Sequence, residues 1–395
     1  MLNLPPQSEQ FQQFAQRSFS SFLHRFNLPQ FDMRNNAFDF LRLIMVVMVI
    51  FAHCINARYE DNQYPKSIVF INIWDVVNGL FIGTLAVYGF FIISGFLITA
   101  SWFNSKSPWE YITKRVKRIY PGFLVSLFVA AFLFVPIIYF IGNKNVLREA
   151  LVNFPILLRL CLEYFFRNMW VEIYTPDIKY LPLLNNYGYS VNGSLWSLIH
   201  EARAYFVVLL LGLFKVFDRK YLILIAFFVL NLLYIGGVYN SEIRLSLSIF
   251  FTNFAFIALF TYFFAGVSFY LFRDTIKYNW LLFTIAVICI SFSISTNNFA
   301  IFAPVCLTYI ILFLSQVLPF KNLSKKWGDC TYGAYLYSQM IQVILVQTPV
   351  RDMGWWWFFA FSMLLSIPAG YLSYHLVEKR FLIRKSTIST TAIKQ

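Results

Sequence analysis

The chain has 395 residues, of which 59% are hydrophobic and only 13% are charged, about half the charged fraction of a soluble globular protein. This composition excludes a soluble globular fold, because a protein of this length cannot hide so much apolar surface from water, whereas a bilayer accommodates it. The net charge of +14 predicts cytoplasmic loops rich in Lys and Arg, not a nucleic-acid partner, because no soluble basic domain accompanies it.

Residues 1–35 are predicted to form a cytoplasmic tail that is either an amphipathic helix on the membrane surface or disordered. Phe11, Phe14 and Phe22 alternate with Arg17 and Arg25, a spacing typical of a helix that lies on a membrane. A signal peptide is not indicated, because the segment has neither a short apolar stretch nor a cleavage site of small residues.

Ten apolar runs follow, each near or above the ~20 residues that cross ~30 Å of hydrocarbon as a helix. We therefore predict an all-α integral membrane protein with about ten transmembrane helices, and an even number of crossings puts both termini on one side. Most of the 32 Lys and Arg residues fall on that side, which predicts that it is cytoplasmic. The runs lie at residues 37–57, 68–100, 119–142, 194–217, 220–238, 248–273, 278–296, 299–318, 329–348 and 354–377.

The runs predict one membrane domain over residues 36–378, followed by a basic cytoplasmic tail over residues 379–395. The predicted outer loop at 143–193 is much longer than the other connections, and loops of that length are often functional. We expect it either to dip into the membrane or to cover an outward-facing site.

The first predicted helix carries ionisable side chains that lipid disfavours. Arg42 and His53 are eleven residues apart, which is about three helical turns, so they share one side of the helix ~16 Å apart along its axis. Such groups usually face a partner or a cavity, which favours a passage through the membrane. The alternative from spacing alone is that Arg42 reaches lipid headgroups and that His53 is a satisfied core histidine.

The fourth predicted helix opens with NGSLWSLIHEARAYF and places three ionisable residues side by side, His200, Glu201 and Arg203. Glu201 either pairs locally with Arg203 or a neighbouring helix, or orients an imidazole, as carboxylates do for catalytic histidines. Topology brings His53 and Glu201 to similar depth. His200 points about 100° away from Glu201, so we do not expect both in one cavity.

The predicted inner loop 101–118 ends in YITKRVKRIYP, a dense basic cluster. Arg115 and Arg118 are three residues apart and share a helix face. Guanidinium groups bind phosphates through two parallel hydrogen bonds, so the pair predicts a phosphate site. The alternative is a topological signal that contacts lipid headgroups.

No metal site is predicted, because the four histidines do not pair at ligand spacing. The five cysteines are odd in number and have no CxxC spacing, so neither a disulfide framework nor a zinc site is indicated.

Six motifs in this order resemble the acyltransferase 3 family of membrane acyltransferases, and the resemblance covers residues 36–382. The motifs are FDFLRLIMVVMVIFAH, ISGFLIT, YITKRVKRIYP, NGSLWSLIHEARAYF, WGDCTYGAYLYS and VEKRF. The resemblance implies a ten-helix membrane domain that moves an acyl group, usually acetyl from acetyl-CoA, to a hydroxyl of a cell-envelope glycan. One departure is Ser338, where many members have a histidine.

By this resemblance His53 is the catalytic base, Arg42 supports the active passage, and Arg115 with Arg118 engages the coenzyme A phosphates from the cytoplasm. Glu201 would hold His53 while it removes the proton of the acceptor hydroxyl. Acetyl-CoA is then a substrate, and no metal is required.

The implied location is the bacterial cytoplasmic (inner) membrane, which the chain crosses several times. The implied partners are an acyl-CoA donor, a glycan or glycolipid acceptor and membrane lipid, but not nucleic acid. Whether the chain forms a homo-oligomer is left open. Two alternatives remain. One is a transporter or flippase of envelope precursors, and the other is an acyltransferase with a non-acetyl donor or a non-glycan acceptor.

Overall fold

The computed structural model describes residues 28, 30–58, 82–142, 146–172, 190–251 and 253–382. These residues form helices, short helical turns and connections, and no strand occurs among them, which confirms the all-α prediction. The terminal tails predicted over 1–35 and 379–395 fall largely outside this range. The helices are α1 (Phe38–Arg58), α2 (Ile82–Phe103), α3 (Pro108–Val129), α4 (Val135–Gly142), α5 (Val146–Asn168), α6 (Leu198–Leu213), α7 (Lys220–Tyr239), α8 (Ser241–Phe250), α9 (Phe254–Leu271), α10 (Trp280–Ser295), α11 (Phe299–Val317), α12 (Leu323–Trp327), α13 (Thr331–Leu345), α14 (Trp355–Ser373) and α15 (Lys379–Leu382).

Each predicted apolar run overlaps one of these helices. By length and composition, seven described helical segments are long and apolar enough to cross a membrane. The ten crossings and the cytoplasmic position of both termini stay predictions. The seven segments are Ile82–Phe103, Pro108–Tyr139, Gly193–Leu213, Lys220–Tyr239, Phe254–Leu271, Phe299–Val317 and Trp355–Leu382.

The predicted inner loop 101–118 is wrong in extent, because only residues 104–107 separate α2 from α3. Ser107 caps α3 by accepting a hydrogen bond from the Glu110 backbone N–H at 3.1 Å, and the Glu110 carboxylate accepts one from the Lys106 N–H at 2.7 Å. These two capping bonds, with Pro108 at the first helical position, define the start of the helix. Hydropathy does not detect this start, because charged residues occupy the first turns. The basic cluster therefore lies on the first turns of a helix.

The predicted outer loop 143–193 contains the helix α5, so it is not an irregular connection. The Phe165 ring of α5 lies 6.1 Å from Phe128 on α3 and 5.9 Å from Phe132 in the π-helical turn that joins α3 to α4. These aromatic contacts pack α5 against the α3 segment. Residues 173–189 of the predicted loop lie outside the described range.

Helix α2 is held centrally by a close crossing with α9. A Cβ atom on Gly95 would lie 2.1 Å from the Phe263 carbonyl oxygen, and one on Gly266 would lie 2.2 Å from the Ile92 carbonyl oxygen. Only glycine permits this approach, and small residues at helix interfaces are typical of membrane bundles. The crossing fixes the position of α2, which lines two cavities of the bundle.

Basic residues gather at one end of the bundle. The connections at 104–107, 214–219, 272–279 and 318–330 meet there, and we call this the basic end. The described parts of three connections at the opposite end, 240–251 with 253, 296–298 and 346–354, contain two basic residues, Arg244 and Arg351. The basic end contains Lys106, Lys215, Arg219, Arg273, Lys277, Lys321, Lys325 and Lys326.

Candidate functional site

A cavity of about 300 Å³ opens between α1, α2, α3, α6 and α13. Four of the five predicted site residues line it, namely Arg42, Arg115, Arg118 and Glu201. The other lining residues are Val87, Phe90, Phe91, Ser94, Leu97, Ile98, Ile119, Ser197, Leu198, Tyr205, Thr331, Tyr332 and Tyr335. We call it the donor cavity, for the role proposed below.

The donor cavity is elongated along α2 and differs in character at its two ends. Its α2 lining runs from Val87 to Ile98, and these eleven residues of helix rise by ~16 Å. The three guanidinium groups lie in the half nearer the basic end, whereas Val87, Phe90 and Phe91 make the far half apolar. The shape suits an extended ligand with an anionic end.

Arg118 forms an ion pair with Asp329, and its guanidinium also lies 5.9 Å from the centre of the Tyr332 ring. Asp329 accepts a further hydrogen bond from the Thr331 N–H at 3.1 Å. Burial raises the pKa of the Asp329 carboxyl, but the Arg118 and Arg42 guanidiniums and the Thr331 hydroxyl outweigh it and hold the pKa below its usual range. Asp329 therefore stays ionised and fixes Arg118 at the cavity wall.

Arg115 forms no ion pair with a described carboxylate. It lies 5.7 Å from the centre of the Tyr205 ring, and its buried Nε has no hydrogen-bond partner among the described residues. Arg42 is only loosely paired, with 3.9 Å between its guanidinium and the Asp39 carboxylate, which instead accepts from the Ser324 N–H at 3.1 Å. Both guanidiniums are available to an anionic ligand.

Glu201 faces the middle of the donor cavity. Its carboxylate accepts a hydrogen bond from the Tyr205 hydroxyl at 2.5 Å and a longer one from the Ser94 hydroxyl at 3.4 Å. Arg203 pairs instead with Glu172 at 3.3 Å, so the local Glu201–Arg203 pair considered from the sequence does not form. The cavity thus contains three positive charges and one negative charge.

His53 is not among the residues that line the donor cavity. It lies on α1 three turns beyond Arg42, toward the opposite end. Its neighbour Cys54 is anchored in the core, since the Cys54 thiol lies 3.4 Å from the Ser362 hydroxyl and 3.1 Å from the Gln342 amide. The structure therefore brings four predicted site residues together and leaves the fifth outside their cavity.

His200 and Ser338 lie outside the donor cavity as well. The His200 ring is buried near the rings of Trp196 and Phe256, at 6.0 and 6.1 Å between centroids. His200 and Glu201 therefore do not share the donor cavity, as their angle of about 100° around the helix predicts. Ser338 is fully buried and donates a hydrogen bond to the Tyr335 carbonyl at 3.3 Å. It has a structural contact in the position where the resemblance suggests a histidine.

Sequence reasoning missed the tyrosines of the cavity wall. Tyr205 follows Glu201 by four residues, so helical spacing could have placed it on the same face. The Tyr335 hydroxyl bonds the Ser197 hydroxyl at 2.8 Å, and the Tyr332 hydroxyl donates to the Ile119 carbonyl at 2.8 Å. These bonds join α13 to α3 and to the turn before α6, which no sequence periodicity reveals.

Among the described residues, no three His, Cys, Asp or Glu side chains lie close enough together to share a metal ion. The lining of the donor cavity itself offers anion binding by guanidinium groups beside a carboxylate that two hydroxyls hold in place.

Comparison with known proteins gives one family and two curated relatives. The sequence profile of a family described as an acyltransferase domain matches residues 35–375. A protein named O-acetyl transferase from Shigella phage Sf6 is 24% identical over 359 residues, which cover 89% of this chain and 98% of the relative. Nodulation protein 10 of Rhizobium leguminosarum bv. viciae is 26% identical over 369 residues, or 88% and 92% of the two chains. No solved structure matches.

Proposed function

The chain belongs to the acyltransferase 3 family and is a membrane acyltransferase, and from this premise we propose that it moves acetyl from acetyl-CoA to a hydroxyl of a surface or envelope polysaccharide. The Shigella phage relative is named an O-acetyl transferase, which supports oxygen as the acceptor atom. The gathering of basic residues at one end of the bundle supports a cytoplasmic position for that end in a bacterial inner membrane.

The observation that carries the proposal is the convergence of Arg42, Arg115 and Arg118 at one end of an elongated cavity. Coenzyme A has its phosphates at one end and its thioester at the far end of a flexible pantetheine arm. Its phosphates would bind the guanidiniums through charge-assisted hydrogen bonds, and the arm would lie along the apolar half of the cavity. The acetyl group would then lie deep in the membrane domain, near Val87 and Ser197.

His53 is the proposed general base, and the register of α1 against α2 sets its depth. A Cβ on Gly89 of α2 would meet the Met45 side chain of α1, so these two positions lie level with each other. Toward the opposite end, Val87 follows that level by two residues of α2, and His53 follows it by eight residues of α1. His53 therefore lies six residues, or ~9 Å of helix rise, beyond Val87. The acyl end of the donor would extend past Val87 to reach the imidazole.

The proposed step conserves atoms and charge. The His53 imidazole accepts the proton of the acceptor hydroxyl while the oxygen attacks the thioester carbonyl carbon. The tetrahedral intermediate collapses, the carbon–sulfur bond breaks, and the imidazolium returns the proton to the coenzyme A sulfur. A positioned base of this kind contributes ~10²–10⁴-fold to the rate.

Glu201 is the other predicted catalytic residue, and its contacts suggest that it acts on the donor and does not hold the His53 imidazole. Its partner Ser94 lies ~20 Å short of His53 in the α1–α2 register. Tyr205 and Ser94 fix its carboxylate in the middle of the donor cavity. A negative charge there repels phosphates from the far half of the cavity and leaves the guanidinium end as the favourable place for them. The orientation of bound donor would follow from this distribution of charge.

The test is transfer of radiolabelled acetyl from acetyl-CoA to envelope polysaccharide by the purified full-length chain in lipid nanodiscs. Wild-type protein is expected to label the polysaccharide, and His53→Ala is expected to bind acetyl-CoA normally without labelling it. Transfer by His53→Ala near the wild-type rate would remove His53 from the mechanism. A chain that binds no acetyl-CoA would favour a transporter or another donor.

A further inference from the structure

A second cavity, of about 480 Å³, lies at the opposite end of the bundle from the basic end. The described residues around it come from α2, α7, α8, α9 and α11, from the turn before α6 and from two connections. They are Thr84, Tyr88, Trp196, Tyr234, Val238, Tyr239, Arg244, Ser248, Asn253, Phe254, Ala255, Ala258, Leu259, Asn297, Phe299 and Ala300. Its volume is within the ~300–1,000 Å³ of typical small-molecule sites.

We propose that this second cavity is a carbohydrate site that holds a pyranose residue of the acceptor beside the donor cavity. The inference rests on the proposed function and names the place where its acceptor binds. A pyranose ring has an apolar face of C–H bonds and a rim of hydroxyls, so it is bound by aromatic rings together with hydrogen-bonding side chains. The second cavity combines both kinds of group.

The floor of the second cavity is formed by two buried tyrosines, Tyr88 and Tyr234, whose hydroxyls lie 3.4 Å apart. The Tyr88 ring stacks on Tyr262 with 4.0 Å between centroids, and the Tyr234 ring stacks on Phe254 at 6.0 Å. Packed aromatic rings give rigid apolar surfaces with a polar tip. The floor can therefore hold a sugar face and bond a sugar hydroxyl at once.

The rim of the second cavity is polar and exposed. The Arg244 guanidinium lies 4.9 Å from the centre of the Phe254 ring, and none of the described carboxylates is within ion-pair distance of it. Asn253, Tyr239 and Asn297 complete this side of the rim. Guanidinium, amide and phenol groups supply donors and acceptors for several hydroxyls.

This lining argues against a lipid acyl chain as the occupant. More than half of the lining side chains contain a hydroxyl, amide, indole N–H or guanidinium group. An acyl chain would cover these groups without bonding them, which is costly in an apolar environment. A sugar satisfies them, and the position at the end opposite the basic connections suits an acceptor that arrives from outside the cell.

The two cavities share one wall. Trp196 lines the second cavity, and its neighbour Ser197 lines the donor cavity. In the same way, Tyr88 lines the second cavity and its neighbour Val87 lines the donor cavity. A sugar on Tyr88 and Trp196 would therefore lie across one layer of side chains from the far end of the donor cavity. His53 lies ~9 Å beyond Val87 in the α1–α2 register, toward the same end of the bundle as the second cavity.

The test is saturation-transfer NMR on the purified full-length chain with three probes, methyl α-D-glucopyranoside, methyl α-D-galactopyranoside and methyl α-L-rhamnopyranoside. At least one glycoside is expected to receive saturation at its ring protons. Trp196→Ala should weaken its binding about 2- to 13-fold, the value of one aromatic contact. Tyr234→Phe should also weaken binding. Trp357→Ala replaces a Trp that is 63% exposed and lines neither cavity, and it should bind as wild type does.

The outcomes separate this site from the donor proposal. Retained acetyl-CoA binding shows that a variant is folded, so loss of glycoside alone supports the site. The inference is overturned if wild type binds no glycoside, if Trp196→Ala and Tyr234→Phe bind as wild type does, or if native mass spectrometry finds a phospholipid that these variants lose. If the wild-type chain binds a glycoside but no acetyl-CoA, acetyl-CoA is refuted as the donor, whereas the carbohydrate site is still supported.

Discussion

Replacement of Arg115 by Ala is the sharpest perturbation of the donor cavity. This side chain faces the cavity, its buried Nε has no partner among the described residues, and no ion pair within that part of the chain depends on it. Its loss should therefore cost little stability and much affinity. One hydrogen bond to a charged group is worth ~1.5–3 kcal/mol, so the Kd for acetyl-CoA should rise by about 10- to 150-fold.

The assay is isothermal titration of the purified chain with acetyl-CoA and, separately, with S-acetylpantetheine, which lacks the nucleotide phosphates. Arg115→Ala should weaken acetyl-CoA binding and leave S-acetylpantetheine binding unchanged. Lys117→Ala is the matched control, because Lys117 is an exposed cation on the same helix and does not line the cavity. Equal Kd values for acetyl-CoA in wild type and Arg115→Ala would refute the phosphate site.

Three further predictions follow from contacts in the bundle. Asp329→Ala leaves the Arg118 guanidinium without its ion-pair partner and should destabilise the protein by ~3–5 kcal/mol, seen as a lower Tm; a Tm equal to wild type would show that the pair is not structural. Gly95→Ala places a Cβ against the Phe263 backbone and should destabilise the protein by ~1–3 kcal/mol, seen as a lower Tm. Gly236→Ala is the control, because its Cβ would meet only the Ile243 side chain, at 3.4 Å or more, and it should not lower the Tm. Equal effects of the two changes would contradict the close crossing. Tyr205→Phe removes the 2.5 Å hydrogen bond to the Glu201 carboxylate. It should lower kcat for acetyl transfer by a larger factor than it changes the Kd for acetyl-CoA. An unchanged kcat would contradict this expectation.

The sequence predicted the helices well where their surfaces are uniformly apolar. Hydropathy detects such segments because lipid or the core contacts them on all sides. It missed the start of α3 at Pro108, since charged residues occupy the first turns and only the local Ser107–Glu110 capping reveals the helix. It also missed α5, in which Glu163 and Arg167 form an ion pair along the helix.

The sequence predicted four of the cavity residues from their chemistry and from the family resemblance, because ionisable side chains in apolar helices usually face a partner or a cavity. The expectation that His53 and Glu201 lie at similar depth is wrong. Glu201 bonds Ser94, which the α1–α2 register puts ~20 Å short of His53. Which side chains meet laterally depends on packing between helices, which spacing does not encode. The bond from Tyr335 to Ser197 joins residues 138 positions apart. The same limit applies to the lateral neighbours of His53.

The most direct test of the donor cavity is an electron cryomicroscopy structure of the full-length chain with a non-transferable acetyl-CoA analogue. We predict that its phosphates contact the Arg115 and Arg118 guanidiniums and that its acyl end lies near Val87 and Ser197, on the side facing His53. An analogue bound elsewhere, or one whose acyl end lies at the guanidiniums, would contradict the account.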